Sequence, residues 1–154
     1  MKKLILSIAL SIFCFCAYSQ SAEVVTDILN SDKVTFGQVC YLSAVHQGLV
    51  SDDCTYAQAI RTLYENGQVP VTGYEDTALP MVNLTYIFAQ MWNIKGGLFY
   101  RIFHGAPRYA FKQMKADGVL PLNADPSNLI SGQEALNIYT SCSIKYGNMQ
   151  LNLE

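Results

Sequence analysis

The side chains that could serve as nucleophiles, bases or metal ligands are few and widely spaced. His46 and His104 are the two histidines of the 154-residue sequence, and neither Cys54 nor Cys142 stands at a metal-ligand spacing from them. His46 is at a predicted helix C-terminus, where the helix dipole favours an imidazolium and predicts a capping role. Neither a glycine-rich phosphate loop nor a Gly-x-Ser-x-Gly motif is present. We predict no metal site, no cofactor and no catalytic activity, and we keep a small enzyme using His104 or a cysteine as the third alternative.

The concentration of positive charge lies between Asp76 and Asp117, which are successive acidic residues in the chain. The five cations between them are interleaved with aromatic residues, and Arg and Lys neutralise carboxylate or phosphate groups while aromatic faces stack on sugars. We therefore predict a ligand-binding surface for an envelope protein or an anionic polysaccharide, made of Lys95, Tyr100, Arg101, His104, Arg108, Tyr109 and Lys112. We expect no nucleic-acid partner.

Two other interpretations of this segment stay open. Leu98, Phe99, Ile102 and Phe103 have a spacing that also fits a buried connecting helix with its charges in water. Peripheral contact with a membrane surface is the other alternative, although the flanking glycines and Pro107 would interrupt an interfacial helix.

The N-terminus has the three parts of a secretory signal peptide. Residues 1–3 are basic at positions 2 and 3, residues 4–15 form an apolar run, and Ala17 and Ser19 are small residues at the −3 and −1 positions for cleavage before Gln20. The run is shorter than the roughly 20 residues that a membrane span needs. We predict export of residues 20–154, with net charge −4, to the periplasm or cell surface. Lipid anchoring at Cys14 or Cys16 is the alternative, but a bulky phenylalanine precedes each of them.

Apolar spacing and capping residues predict an all-α fold. One set of helices is expected near residues 35–48, 83–93 and 131–144, with the caps Thr35, Asn83 and Ser131 spaced 48 residues apart. Ser131 and Glu134 have the spacing of a capping box. Four residues after the caps stand Val39, Ile87 and Ala135, and five residues after them stand Cys40, Phe88 and Leu136.

A second set of helices is expected near residues 56–67 and 108–118. These helices share four positions at a displacement of 51 residues, namely Ile60, Leu63, Gly67 and Pro70 with Phe111, Met114, Gly118 and Pro121. Glycine permits the left-handed residue that ends a helix, and the later proline prevents continuation. The two sets predict helix–loop–helix repeats of about 50 residues, packed as a small helical bundle or prism.

This pattern resembles the S-layer homology (SLH) repeat of bacterial envelope proteins, in which three such units form a helical prism that anchors proteins to cell-wall polysaccharide. The family's second helix opens with Thr-Arg-Ala-Glu, and its Arg contributes to binding acidic sugars. The corresponding residues are 35–38, 83–86 and 131–134, which keep a capping residue each time, the Glu once and the Arg never.

We therefore expect a single SLH-like domain at residues 20–145, an insert at 93–107, and a polar tail at 146–154. The function that we predict is that of an exported, non-catalytic envelope protein that binds a protein or anionic polymer through residues 95–115. An SLH-type cell-wall glycan anchor is the alternative that the resemblance implies.

Overall fold

The structure is a computed structural model and describes residues 22–102 and 106–147. Its helices are α1 (residues 22–30), α2 (Phe36–His46), α3 (Tyr56–Glu65), α4 (Met81–Met91), α5 (Leu98–Ile102), α6 (Pro107–Ala116) and α7 (Gly132–Cys142), followed by a π-helical turn, Ser143–Gly147. These two ranges contain no β-strand, so the predicted all-α class is confirmed. None of their helices is long and apolar enough to cross a membrane. The predicted signal peptide, His104 and residues 148–154 lie outside the described residues.

Capping side chains begin α2 and α7, as the sequence predicts, and a further capping side chain begins α3. Thr35 Oγ1 accepts a bond from the Gln38 amide at 3.3 Å, and Gln38 Oε1 accepts one from the Thr35 amide at 3.0 Å. Thr55 and Gln58 form the same reciprocal pair at α3. Ser131 Oγ accepts from the Glu134 amide at 3.2 Å. In the described part of the chain the Glu134 carboxylate does not return this bond, so the predicted capping box is a simple serine cap.

The prediction that α4 begins at Asn83 is wrong. The helix begins at Met81, and Pro80 is its N-cap residue without a side-chain bond. The free amides of Met81 and Val82 donate instead to the carbonyls of Asn128 and Pro126, at 2.9 and 3.0 Å. Because a distant loop satisfies these amides, the helix does not need a local capping side chain and begins before the residue that would supply one.

The earlier start of α4 changes which helices correspond to each other along the chain. With α4 at Met81–Met91, the start and end of both α3 and α4 recur as those of α6 and α7 at a displacement of 51 residues. The predicted equal spacing of 48 between caps does not hold. The residues four positions after the N-caps are Val39, Leu84 and Ala135, all fully buried, so Leu84 replaces Ile87 in that comparison.

The ends of α3 and α6 are also alike. Gly67 and Gly118 have φ values of +69° and +77°, in the left-handed region that glycine adopts without steric cost. The amides that follow them donate back to the carbonyls of Leu63 and Met114, at 2.9 and 3.0 Å. This is the geometry of a Schellman motif, and the predicted helix ends are confirmed.

Backbone hydrogen bonds tie the loops to the N-termini of other helices. The amides of Phe36 and Gly37, at the start of α2, donate to Thr77 and Glu75 carbonyls at 2.9 Å each. The α4 amides use Asn128 and Pro126, which lie 51 residues after Thr77 and Glu75. At α7 the Gly132 amide donates to the Ser31 carbonyl at 2.8 Å. The helices α2, α4 and α7 therefore each depend on a different segment of the chain for their first turn.

The residues just before these caps meet at the centre. Val34, Leu79 and Ile130 are buried, and the Val34 backbone bonds to both of the others, accepting from the Leu79 amide and donating to the Ile130 carbonyl. A single apolar core surrounds them and includes Phe88, the largest fully buried side chain. The arrangement of the units as an SLH-type prism stays a prediction.

Candidate functional site

The predicted ligand-binding residues lie on a short loop and on α5 and α6. Lys95 is in the loop, Tyr100 and Arg101 are in α5, and Arg108, Tyr109 and Lys112 are in α6. The four cations are exposed, whereas the two tyrosines are partly buried. The structure does not describe His104. The predicted insert at 93–107 therefore contains a helix of its own, α5, which packs on α6.

A shallow pocket of about 360 Å³ brings three of these residues together. Tyr100, Tyr109 and Lys112 line it, together with Gly97, Leu98 and Gln113. The Lys112 ammonium lies 5.7 Å from the centre of the Tyr109 ring, within the range of a cation–π interaction. Lys95, Arg101 and Arg108 do not line this pocket. The pocket is therefore lined by two tyrosines and one cation, and the other three cations are not among its lining residues.

Gln113 holds the loop against α6. Its Oε1 accepts from the Gly97 amide and its Nε2 donates to Asp117 Oδ1, both at 2.9 Å. A Cβ on Gly96 would lie 2.5 Å from Cγ of Tyr100, so the Tyr100 ring needs glycine at that position. Burial is the main cause that raises the pKa of Tyr100, and the nearby Tyr86 adds to the shift. Tyr100 is therefore a neutral phenol over the physiological range.

The cations of the surface have no carboxylate partner within 4.0 Å among the described residues. The ion pair found in these ranges, Arg61 with Glu65 at 3.4 Å, is on α3. Asp117, the next acidic residue along the chain, accepts bonds from Gln113 and from the Tyr146 hydroxyl, at 2.9 and 2.6 Å. Lys95, Arg101, Arg108 and Lys112 are thus available to an external anion.

Lys115 has a different role from the four cations above. Its ammonium donates to the Ala124 carbonyl at 3.2 Å and lies 5.5 Å from the centre of the Phe111 ring. It attaches the loop after α6 to that helix.

An apolar groove of about 400 Å³, which the sequence did not predict, lies next to this surface. The groove lies between the loop before α4, the first turns of α4 and the start of α6, and Phe36, Pro70, Tyr74, Asn83, Tyr86 and Pro107 are among its lining residues. Tyr86 lines this groove and is also the neighbour that adds to the raised pKa of Tyr100 in the pocket described above.

Tyr74 is the unusual residue of this groove. It is 73% exposed, and its φ of +62° lies in the left-handed region, which bulky side chains rarely adopt. At a displacement of 51 residues its counterpart is Asp125, whose carboxylate bonds to the Ser127 amide and hydroxyl at 2.8 and 2.6 Å. This mismatch between a tyrosine and a turn-forming aspartate was the signal in the sequence that could have located the groove.

His46 belongs to an aromatic cluster and is not a cationic helix cap. Its Nδ1 lies 2.8 Å from the Tyr139 hydroxyl, and its ring centre lies 4.8 Å from that of Trp92. Burial lowers the pKa of His46, which favours the neutral imidazole. Trp92 is buried, and its Nε1 has no hydrogen-bond partner within the described ranges. The predicted capping role of His46 is therefore wrong, because its partner is a tyrosine hydroxyl of α7.

The described cysteines, Cys40, Cys54 and Cys142, form no disulfide with one another. Cys40 and Cys142 are buried, and desolvation raises the pKa of each to about 12. Burial and the neighbouring carboxylates also raise the pKa of Cys54, so all three are thiols and not thiolates at neutral pH. Residues 22–102 and 106–147 contain no group of three His, Cys, Asp or Glu side chains that could hold a metal ion.

The arrangement of cations, tyrosines and an apolar groove is suited to binding. The chain matches no protein-family model, and neither a curated protein nor a solved structure shows significant similarity to it.

Proposed function

We propose that the protein is an exported, non-catalytic envelope protein that acts as a binding module. Its binding surface consists of Lys95, Tyr100, Arg101, Arg108, Tyr109 and Lys112, and its partner is an anionic polymer or an acidic protein. The observation that carries the proposal is the set of four exposed cations without a carboxylate partner in the described chain, beside a pocket lined by two tyrosines.

The electrostatics support an anionic partner. Residues 20–154 carry a net charge of −4, but residues 77–116 contain five cations and no carboxylate. The surface therefore has the opposite sign to the rest of the chain, which orients an approaching anion towards it. Exposed charges are screened over about 8 Å at physiological ionic strength, so binding through this surface should weaken as salt is added.

The test is the binding of residues 20–154 to polygalacturonate as a polyanion, with dextran as the neutral control, over increasing NaCl. The double variant Arg101→Glu, Arg108→Glu should weaken polygalacturonate binding at least tenfold at low salt. The control is Lys33→Glu with Arg61→Glu, which makes the same change of charge at exposed positions outside the surface. Equal losses in both double variants, or no loss in the first, would refute a local binding surface.

An SLH-type cell-wall anchor is the second candidate. Two observations favour it: the 51-residue displacement that relates α3 and α4 to α6 and α7, and the dependence of α2, α4 and α7 on other segments for their first turns. Sedimentation with isolated cell wall tests this candidate. Retention at high salt, unaffected by Arg101→Glu with Arg108→Glu, would favour the anchor over the cationic surface.

Export is the third part of the proposal, and it rests on residues 1–19 of the sequence. Mass spectrometry of the protein recovered from the producing cell should show a chain that begins at Gln20. A product that begins at Cys14 or Cys16 and carries a lipid mass would support the lipoprotein alternative. A product that retains Met1 in the cytoplasm would refute export.

A further inference from the structure

We propose that the apolar groove beside Tyr74 binds one alkyl chain of a soluble monoacyl anion, with the acidic head group held by Arg108. This inference rests on the proposed function only for its anionic end, since Arg108 belongs to both sites. The groove itself was not predicted from the sequence, and its ligand chemistry is a separate question from that of the cationic surface.

The walls of the groove select for an uncharged, apolar occupant. Its lining includes aromatic rings and prolines, and among the described residues that form it there is no Asp, Glu, Lys, Arg or His. Thr77 and Asn83 are uncharged polar residues of the lining. A charged segment placed there would lose water without gaining a partner, whereas an alkyl chain would gain the full benefit of leaving water.

The adjacent pocket offers a contrast. It shares Tyr74 with the groove but contains Arg61, Glu65 and Glu75. The Tyr74 side chain therefore stands between an apolar and a charged depression. Burial of an alkyl chain is favourable only in the apolar depression.

The size of the groove fits a small molecule. Its volume of about 400 Å³ lies in the lower part of the range of ligand pockets, roughly 300–1,000 Å³. One alkyl chain of medium length fills such a space.

Charge complementarity identifies the head group. The groove reaches Pro107, the first residue of α6, and the exposed Arg108 follows directly. No carboxylate within 4.0 Å in the described chain neutralises Arg108. A negative head group at this end of the groove suits Arg108, because a guanidinium provides two parallel hydrogen bonds to a carboxylate.

The backbone at Tyr74 supports a binding role for its ring. The left-handed conformation disfavours a bulky residue, and the corresponding residue after α6, Asp125, has no positive φ and bonds to Ser127 instead. Here a tyrosine stands in the less favourable conformation while its ring is mostly in water. Residues in such conformations cluster at ligand sites, where the fixed direction of the side chain serves binding.

The experiment is calorimetric titration of residues 20–154 with octanoate, decanoate and dodecanoate, each below its micelle concentration, and with octanol as the neutral analogue. Affinity should rise about 3- to 4-fold per added methylene until the groove is filled. Octanoate should bind at least fivefold more tightly than octanol at low salt. Absence of a chain-length dependence, or equal binding of octanoate and octanol, would overturn the inference.

Matched variants localise the site. Tyr74→Asn removes the ring but keeps a residue that tolerates a positive φ, so the fold should be retained, and decanoate binding should fall at least fivefold. Tyr64→Asn, at another exposed tyrosine outside the groove, should leave it unchanged. Arg108→Gln should reduce octanoate to the affinity of octanol, while Arg61→Gln should have no effect.

The remaining outcomes separate this inference from the proposed function. Decanoate binding that survives Tyr74→Asn would overturn the groove assignment. Binding only to phosphatidylglycerol vesicles, and not to monomeric decanoate, would also overturn it, because it would place the occupant in a membrane. Unchanged polygalacturonate binding in the Arg101→Glu, Arg108→Glu variant refutes the cationic surface as a polyanion site, whereas a flat chain-length series refutes the groove alone.

Discussion

Among the glycines that the structure describes, Gly132 is the one at which an added methyl group should destabilise the fold most. It is the first residue of α7, and a Cβ there would lie 1.5 Å from the carbonyl oxygen of Ile28 and 2.6 Å from its carbonyl carbon. The obstacle is backbone and not the end of a flexible side chain. The substitution Gly132→Ala must therefore separate α1 from the N-terminus of α7.

The cost of this separation follows from the contacts that it breaks. Ile28 is fully buried, and exposing such a side chain costs about 1.5–3 kcal/mol. The hydrogen bond from the Gly132 amide to the Ser31 carbonyl, at 2.8 Å, contributes about 0.5–1.5 kcal/mol. We expect Gly132→Ala to lower the free energy of unfolding by about 2–4.5 kcal/mol, which is large for the addition of a methyl group in a helix.

The assay is urea unfolding followed by tryptophan fluorescence. Trp92 is the single tryptophan and is buried, so its emission reports on the core. The control is Gly97→Ala, where the nearest atom would lie 3.8 Å from the new Cβ and φ is not positive, and we expect a change below about 0.5 kcal/mol. If both variants unfold within that margin of the wild type with the same denaturant slope, α1 does not pack on α7 as described.

Three further predictions concern the core, a helix end and pH. Phe88→Ala should lower the free energy of unfolding by about 3–5 kcal/mol, because Phe88 is the largest fully buried side chain; a thermal melt showing less than about 1 kcal/mol would place it outside the core. Gly118→Val should cost about 1 kcal/mol or more through its φ of +77° alone, since no atom lies within 4 Å of the new Cβ; a cost equal to that of a neutral surface change would contradict the left-handed helix end. His46 has a folded-state pKa below its unfolded value of about 6.5, so its contribution to stability is complete above pH 6.5 and is lost as the pH falls through that value towards the folded pKa. Urea midpoints at pH 5 and 7.5 should differ less in His46→Gln than in the wild type, and an equal pH dependence in both proteins would show that another group is responsible.

Local chemistry in the sequence was sufficient for the helix ends that depend on neighbours in the chain. Thr35 and Thr55 cap α2 and α3 through residues three positions away, and Gly67 and Gly118 end α3 and α6 by their own backbone freedom. These features involve contacts within one or two turns. The all-α class and the 51-residue displacement of the first helices followed from them.

The candidate site was predicted only in part. The sequence indicated the cations and tyrosines of α5 and α6, because an excess of one charge is visible without coordinates. It could not indicate that Tyr100, Tyr109 and Lys112 share a pocket from which Lys95, Arg101 and Arg108 are absent. That grouping depends on how α5 packs on α6.

Tertiary structure decided the features that depend on contacts between segments distant in the sequence. Asn83 is a good capping residue by type, but α4 begins at Met81 because the carbonyls of Asn128 and Pro126 satisfy its first amides. Tyr74 became part of a groove because α4 and α6 lie beside its loop. The sequence determined which residues are able to begin or end a helix, because that ability depends on a few adjacent residues. Only the tertiary structure decided which of them do so, because a free backbone amide or carbonyl at a helix end can bond to any partner that the fold places within reach.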